Sequence, residues 1–527
     1  MSTDPTSSDW SPRLPFELVT EIFRWVEVPY GELALNEKIE RPNRYSDPSN
    51  PYLISRKTLR HICLASRSFN AVARRFLYRN VMMLHATDIV LLFRTLLEEG
   101  CPNRESSVQY GLRSNIENLA CLVTLFDEAV TRETAQAWRL LSLPKHVEPF
   151  DMTVLYVSQL RLGRILDEQL EDFFATPQLL LGGLLGLTTR LRSITLQCPT
   201  GLSDTEAYAP LDTVIRSLRR HPQVGRNILT HLSTLAVHPE SGYGTSGRIR
   251  HGQTLFSSLF ELPTLKTLLA RRCISPPRAA DSEGARGLSL ERVALHGSCR
   301  LEADVESYAA LCQNLRYLEI YATAADIVAM DIALLPVADR LESLVLRLMP
   351  AAPHRSNPAT TATAAAAAVD HSGEGDSEGG RVAGLRSKFT RLASLTIEDR
   401  ILFRDATQME RVGLTARLPR SLVSLVLVEQ WNPPPSAPHN GLADHLDAIT
   451  RALLDAAGQC PEHLPSLRNF ILDRSQPRAW LGAAADNALR TRYPEFKAAF
   501  AAVGVEFVVR ELPHHASNAW GGSVSEY

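Results

Sequence analysis

A six-residue pattern, apolar at its first, fourth and sixth positions, recurs along the C-terminal part of the chain. Nine copies occur: Leu191-Ile194-Leu196, Leu232-Leu235-Val237, Leu265-Leu268-Ala270, Leu290-Val293-Leu295, Leu315-Leu318-Ile320, Leu341-Leu344-Leu346, Leu392-Leu395-Ile397, Leu422-Leu425-Leu427 and Leu467-Phe470-Leu472. Positions four and six of an extended segment point to one face, so each copy predicts a strand with one buried side. Such a short strand can bury that side only beside an equivalent neighbour. The pattern therefore restricts this part of the chain to a stacked α/β structure.

The spacing of the copies indicates the kind of repeat. Four of them, beginning at Leu265, Leu290, Leu315 and Leu341, follow one another after 25, 25 and 26 residues, and the other intervals are longer. Leucine-rich repeats have this length, and longer intervals are typical of repeats with insertions. The asparagine usual at the ninth position is missing throughout, and Cys273 alone occupies that position with an accepted residue. We therefore predict an irregular leucine-rich-repeat-like α/β solenoid over residues 189–511, closed by a strand near 505–509.

Three amphipathic helices are predicted ahead of the repeats. The first begins near Pro15, with an apolar stripe at Leu18, Ile22 and Trp25 with Val26. The second begins at a possible cap, Thr58. The third follows Ser66 or Ser68, and its inward residues are Phe69, Val72, Ala73, Phe76 and Leu77. Helices this short are unstable alone in water, so they must pack on one another or on a partner.

The same residues resemble the F-box motif. The resemblance is carried by Leu14-Pro15-x-x-Leu18-x-x-x-Ile22, Leu59-x-x-Ile62-Cys63-Leu64-Ala65-Ser66-Arg67-Ser68-Phe69-Asn70 and Leu77-Tyr78-Arg79. It gives an F-box-like domain over 14–84, but with a proline-containing loop inserted at about 27–57 where the family has a short turn. The resemblance implies that a Skp adaptor binds at Leu14, Pro15, Leu18, Ile22, Leu59, Ile62, Leu64 and Phe69. Some of these residues are expected to be internal core instead, Phe69 first among them.

An alternative interpretation of the three helices is a helix-turn-helix that binds DNA. Its support is confined to Arg67, Arg74, Arg75 and Arg79. The whole chain has 56 basic and 58 acidic residues, which give a net charge of −2 and no general attraction to nucleic acid or to an anionic membrane. We predict neither partner.

The remaining segments complete the predicted organisation. Residues 1–13 form a disordered lead-in, and 85–188 are either a mainly helical connecting region or degenerate first repeats. That region begins after a short strand at 79–84, and its helices are centred on three apolar sets: Ile89, Phe93, Leu96 and Leu97; Ile116, Leu119, Val123, Phe126 and Val130; and Leu162, Leu166, Leu170 and Phe173. Residues 351–380 are a disordered insert and 512–527 a polar tail.

The compartment follows from what the sequence lacks. The N-terminal residues contain no apolar run typical of a signal peptide, and the most apolar window, 179–187, is too short to cross a bilayer. Eight cysteines occur without a Cys-x-x-Cys pair, which argues against a zinc site or a disulfide framework. These features predict a cytoplasmic or nuclear protein.

No catalytic motif stands out. The sequence contains no phosphate-binding loop, no Gly-x-Ser-x-Gly elbow and no His-Glu-x-x-His pair. His296 and Cys299 are expected to be structural. The chain is therefore predicted to be non-catalytic, without metal or cofactor. By resemblance it is the substrate-recognition subunit of a Skp–cullin–F-box (SCF) ubiquitin ligase, or alternatively a non-ligase F-box scaffold or transcriptional co-regulator.

A substrate surface is predicted on the repeats. Positions three, five and seven of each copy face away from the buried side, onto the open concave side of the sheet. In the central copies these positions are occupied by large polar residues: Arg271, Arg292, His296, Tyr317, Glu319, Tyr321 and Arg347. Neighbouring copies carry small or apolar residues there, such as Ser193, Thr195, Ser424, Val426 and Val428. Arginine and tyrosine are favoured at interface hot spots, and an arginine fork suits a carboxylate or a phosphate. We therefore expect this patch to bind an acidic or phosphorylated segment of a protein substrate.

Overall fold

The computed structural model describes residues 16–27, 51–99, 111–123, 128–141, 176–198, 209–220, 229–239, 257–271, 287–296, 301–322, 330, 332–348, 385–403, 412–429, 441–474 and 489–511. The chain divides into two compact units, Met1–Ser289 and Leu290–Tyr527. Both units combine helices with parallel strands, which confirms the predicted α/β class. The predicted segments 1–13, 351–380 and 512–527 lie outside the described residues, as does the helix predicted around Leu162.

The first unit begins with the three predicted helices, α1 (Phe16–Val26), α2 (Pro51–Ala65) and α3 (Arg67–Arg79). They pack around one apolar cluster, whose buried members are Val19, Phe23, Leu59, Val72, Ala73 and Phe76. The Phe23 ring meets the rings of Phe69 and Phe76 edge-on, at centroid distances of 6.1 and 6.2 Å. This edge-to-face geometry is the one that aromatic quadrupoles favour.

Helix α2 starts earlier than the sequence suggested. The predicted loop to residue 57 and the predicted cap at Thr58 are wrong, because the helix begins at Pro51. A proline suits the first turn of a helix, where its missing N–H is not needed. Tyr52 then anchors this turn, since its buried ring packs against Met82 and Ala120.

In the described part of the first unit five parallel strands follow, each paired with its neighbours in the sequence. They are β1 (Asn80–Met83), β2 (Asn118–Cys121), β3 (Ser193–Cys198), β4 (Thr234–Pro239) and β5 (Thr267–Arg271). The helix predicted around Ile116, Leu119 and Val123 is wrong, because this stretch contains β2. Leu119 pairs with Val81 on one side and Ile194 on the other, so β1 and β2 extend the pattern of the later copies. The described part of residues 85–188 therefore contains a strand of the sheet as well as helices.

Helices cover the buried side of these strands. The set comprises α4 (Ala86–Glu99), α5 (Leu112–Asn115), α6 (Glu128–Leu141), α7 (Pro177–Leu187), α8 (Ala209–Arg220) and α9 (Ser257–Phe260). Helix α7 packs against both α4 and α8. At Gly182 the two helices come so close that a Cβ atom would lie 2.8 Å from a Val214 methyl carbon. Glycine is therefore required by packing there.

The described part of the second unit contains seven parallel strands, again in sequence order. They are β6 (Arg292–His296), β7 (Tyr317–Ala322), β8 (Ser343–Leu348), β9 (Ser394–Glu398), β10 (Ser424–Val428), β11 (Asn469–Arg474) and β12 (Glu506–Glu511). The strand predicted at 505–509 is thus confirmed as β12. Between the strands lie α10 (Leu301–Leu311), α11 (Leu385–Lys388), α12 (Asp399–Leu402), α13 (Gly441–His463) and α14 (Tyr493–Ala502), with 3-10 turns at Leu335–Val337 and Thr415–Arg417.

The apolar positions of the pattern align from strand to strand. In the second unit the fourth positions pair in one continuous row: Val293, Leu318, Leu344, Leu395, Leu425, Phe470 and Phe507. All of them are buried. The carbonyl oxygen at the second position adds a backbone contact, since Arg316 O accepts hydrogen bonds from both Glu342 N–H and Ser343 N–H at 2.9 Å. The recurrent spacing therefore determines the register as well as the buried side.

Candidate binding surfaces

Helix α1 has two apolar faces, and only one of them enters the core. Val19 and Phe23 point inward. Leu18, Ile22 and Trp25 are 50%, 50% and 88% exposed. Their spacing of four and three residues places them on one side of the helix. Three residues of the stripe identified in the sequence thus point outward, whereas its fourth member, Val26, packs against the core cluster. Helix α1 therefore carries an apolar surface that no described residue covers.

The other residues predicted to contact an adaptor are divided between surface and interior. Leu64 is 77% exposed near the end of α2. Leu59 is buried, and Ile62 and Phe69 pack against the same cluster, so these three are core residues rather than ready surface contacts. Leu14 and Pro15 lie outside the described residues. Trp25 was part of the predicted stripe but not of the predicted site, although its place one turn beyond Ile22 could have indicated it.

Six of the seven residues predicted to bind substrate come together on the sheet of the second unit, around Glu319. The Glu319 carboxylate accepts a hydrogen bond from Tyr317 Oη at 2.8 Å and lies 3.2 Å from His296 Nε2. Burial would raise the pKa of Glu319, but the bonds to His296 and Tyr317 and the charge of Arg292 outweigh it and hold that pKa below its ordinary value. Glu319 is therefore a fixed negative charge at neutral pH.

Tyr317 and Glu319 orient the Arg292 side chain, but they do not occupy its hydrogen-bond donors. Its guanidinium lies 4.0 Å from the centroid of the Tyr317 ring, within cation–π range. The nearest carboxylate contact, Nη2 to Glu319 Oε2, is 3.9 Å, too long for a hydrogen bond. The side chain is 45% exposed. Arg292 thus presents a positioned cation with unused donors toward solvent.

Arg347 differs from Arg292 because a nearby carboxylate, Asp473, already balances its charge. Its Nη2 lies 3.4 Å from Asp473 Oδ2, and its guanidinium is 6.0 Å from the Tyr321 ring centroid. The Tyr321 ring is in turn 4.1 Å from the His296 ring. Because Asp473 already balances its charge, Arg347 is held within the sheet surface more than it is offered to a partner.

Glu398, which sequence reasoning missed, lies beside Arg347. Its Oε1 accepts a hydrogen bond from Leu348 N–H at 2.8 Å, whereas Oε2 is buried with no partner among the described residues. Burial raises the pKa of Glu398 to about 7, and Asp399 adds to this rise while Leu348 N–H and Arg347 oppose it. Glu398 and Asp473 both occupy position seven of their copies. Applying the same selection of positions three, five and seven to the later copies would therefore have identified them.

The seventh predicted residue, Arg271, ends β5 in the first unit, and its side chain is not among those described. The first unit also departs from the expected open face. Ser193 and Thr195, predicted there as surface residues, are both buried. The predicted alternation of side chains along the strands is correct. A position that faces away from the helices is nevertheless not always exposed to solvent.

A separate charged cluster joins the last three strands. Arg474 is almost completely buried and contacts Glu429 at 3.0 Å, Glu511 at 3.2 Å and the Tyr493 hydroxyl. Tyr493 Oη also donates to Glu511 at 2.7 Å. Arg474 and Glu429 are nearly inaccessible to solvent, so their contact holds neighbouring strand ends together.

Two comparisons with known proteins were negative: no protein-family model matches the chain, and no curated protein resembles it in sequence. In the described part of the chain, no three His, Cys, Asp or Glu side chains are grouped so as to hold a metal ion. No helix in that same part is both long and apolar enough to span a membrane.

Proposed function

We propose that this chain is a non-catalytic substrate-recognition subunit of an SCF-type ubiquitin ligase. In this proposal α1, α2 and α3 form an F-box-like module that binds a Skp adaptor. The strands of both units are leucine-rich-repeat-like, and the sheet face of the second unit receives the protein substrate. A cullin joins through the adaptor.

The observation that carries the proposal is the outward face of α1. Leu18, Ile22 and Trp25 lie on one side of a helix whose other side is already packed. A soluble protein gains nothing from exposing a tryptophan and two aliphatic residues together, whereas a contiguous apolar patch marks an interaction surface. The F-box resemblance, whose motif includes Leu18 and Ile22, suggests a Skp adaptor as the occupant.

The test is adaptor binding by the double variant Ile22→Ala with Trp25→Ala. Both side chains point outward, so the variant should fold normally, and removal of two central apolar contacts should weaken binding at least about tenfold. Leu91→Ala is the control, because Leu91, like Ile22, is a half-exposed aliphatic residue of a helix but lies on α4. Equal adaptor binding by the double variant and the control would contradict the assignment.

Co-purification separates the ligase from the scaffold or co-regulator alternative. A ligase subunit should recover both the adaptor and a cullin, and both should be lost together in the double variant. Recovery of the adaptor with no cullin would favour the non-ligase role.

A further inference from the structure

Beyond a general substrate face, the second unit presents a row of five side chains that crosses five neighbouring strands. Arg292, Tyr317, Ser343, Ser394 and Ser424 occupy the same register position on β6 to β10. Arg292 is exposed and the other four are partly exposed. The row therefore combines one bulky cationic end with a track of three small hydroxyl side chains.

The cationic end suits a monoanion. Asp473 already balances the charge of Arg347, whereas Glu319, 3.9 Å from the Arg292 guanidinium, offsets that charge only in part. A guanidinium fork with free donors binds a carboxylate in a bidentate manner, and the Tyr317 ring holds the fork in place beforehand. A dianionic phosphate would need more uncompensated positive charge and would face the fixed Glu319 charge beside the same guanidinium.

The serine track suits an extended main chain. None of the three hydroxyl groups has a hydrogen-bond partner among the described residues, so each can donate to or accept from a bound peptide group. Four strand spacings separate Arg292 from Ser424, about 19 Å on a sheet of ordinary geometry. A polypeptide of about six extended residues spans that distance. Small side chains along the track leave room for its backbone.

We infer that this row binds an extended peptide segment that carries an unmodified carboxylate, with the carboxylate on Arg292 and the following residues along Ser343, Ser394 and Ser424. The inference rests on the proposed role of the sheet face in substrate recognition and specifies its ligand. It also narrows the expectation from sequence, because Arg292 is assigned the anchoring role and Arg347 is not.

The experiment measures fluorescence polarisation of labelled peptide pools with the full chain. Each pool contains peptides of about eight residues, with one fixed position and with Ala, Ser, Thr or Val elsewhere. The fixed residue is Glu, Gln or phosphoserine. The Glu pool should bind at least about tenfold more tightly than the Gln pool, and the phosphoserine pool no more tightly than the Glu pool. Equal binding of Glu and Gln pools, or no binding of any pool, would overturn the inference, and clearly tighter phosphoserine binding would overturn the carboxylate assignment.

Variants locate the site. Arg292→Gln should remove the advantage of the Glu pool, whereas Arg316→Gln, on an exposed arginine at the neighbouring second position, should keep it. Ser394→Arg should weaken both Glu and Gln pools by filling the track, and Ser394→Ala should weaken neither by more than a few-fold. Full Glu-pool binding by Arg292→Gln, or unchanged binding by Ser394→Arg, would show that the segment lies elsewhere.

Adaptor binding keeps this inference distinct from the proposed function. The peptide measurement needs no adaptor, and Arg292→Gln should bind the adaptor normally. If the peptide pools do not bind as expected while adaptor binding is intact, only the ligand assignment is contradicted. Absence of adaptor binding in the unaltered chain removes the ubiquitin-ligase role and leaves the peptide measurement valid.

Discussion

The outer sheet face of β1 to β3 in the first unit contrasts with that of β7 and β8 in the second, although the strands share one apolar pattern. In the first unit Met82, Ala120 and Thr195 are buried on that face, and Tyr52 packs over the first two. In the second unit Tyr317, Glu319 and Ser343 remain partly exposed. The pattern sets which side is buried against the helices in both units. The residues of the other side, and what packs on them, decide whether that side becomes core or stays partly exposed.

The sharpest test of this contrast exchanges one tyrosine on each face for alanine. Tyr52→Ala should lower the free energy of unfolding of the first unit by about 3–5 kcal/mol, because a buried aromatic side chain and its hydrogen bonds are lost. Tyr321→Ala should cost about 1 kcal/mol in the second unit, since that ring is partly solvated. Denaturant titration measures both changes. Similar losses would mean that the second face is as much a core as the first.

The next comparison concerns one helix in each unit, and it uses the substitution of a glycine by alanine in each. Gly182→Ala in α7 should destabilise the first unit by about 1–3 kcal/mol, because the added methyl group would overlap Val214. Gly458→Ala in α13 meets no atom within 4 Å and should stabilise the second unit by up to about 1 kcal/mol. Thermal unfolding distinguishes the two signs. A neutral or stabilising Gly182→Ala would show that α7 and α8 can move apart freely.

A pH dependence of stability should appear in the second unit. The pKa of Glu398 is raised to about 7 in the folded chain, above its ordinary value of 4.5, so the folded state binds the proton more tightly. Its contribution to stability is present below pH 4.5 and is lost as the pH rises from there through about 7. We expect Tm of this unit to fall by about 3 °C between pH 5 and pH 8 from this group.

Glu398→Gln is the matched variant for this effect. Its amide oxygen can still accept from Leu348 N–H, but the side chain no longer titrates, so the decrease in Tm over that range should shrink. An unchanged pH profile would place the titration on other groups.

The smallest effect is expected at an exposed ion pair. Arg316 lies 3.4 Å from Glu342, and both side chains are well solvated. Arg316→Ala should change the free energy of unfolding by no more than about 1 kcal/mol. Arg474→Ala, by contrast, leaves Glu429 buried without its cation and should cost about 3–5 kcal/mol. A double-mutant series in denaturant measures both, and a large Arg316 effect would indicate a surface network beyond this pair.

Much of this architecture could be predicted because the repeat pattern is local and strong. All nine copies became strands, in one register within each unit. The failures occurred where two patterns overlap. Ile116, Leu119 and Val123 fit a helical face, yet Ile116, Leu119 and Cys121 have the strand spacing, and pairing with β1 and β3 decides between them.

The candidate site was predictable only as a set of strand positions that share one face of the sheet. Alternation along a strand placed Arg292, Glu319 and Arg347 on one face without showing which arginine an acidic neighbour would neutralise. That depends on Asp473, more than a hundred residues away in sequence. On α1 the sequence likewise offers two apolar sets, and contact with Phe76 rather than any local signal selects Phe23 for the core.

The Tyr52 hydroxyl also has a consequence for solubility. Among the described residues, strand β1 pairs only with β2, so its other edge carries backbone groups that could recruit a strand from a second molecule. Met82 N–H donates to Tyr52 Oη at 2.9 Å, and that hydroxyl lies 3.5 Å from Asn80 O. The ring thus occupies the place that an invading strand would take. Tyr52→Ala should therefore increase aggregation on mild heating more than its loss of stability explains, because it uncovers a template for intermolecular β-pairing.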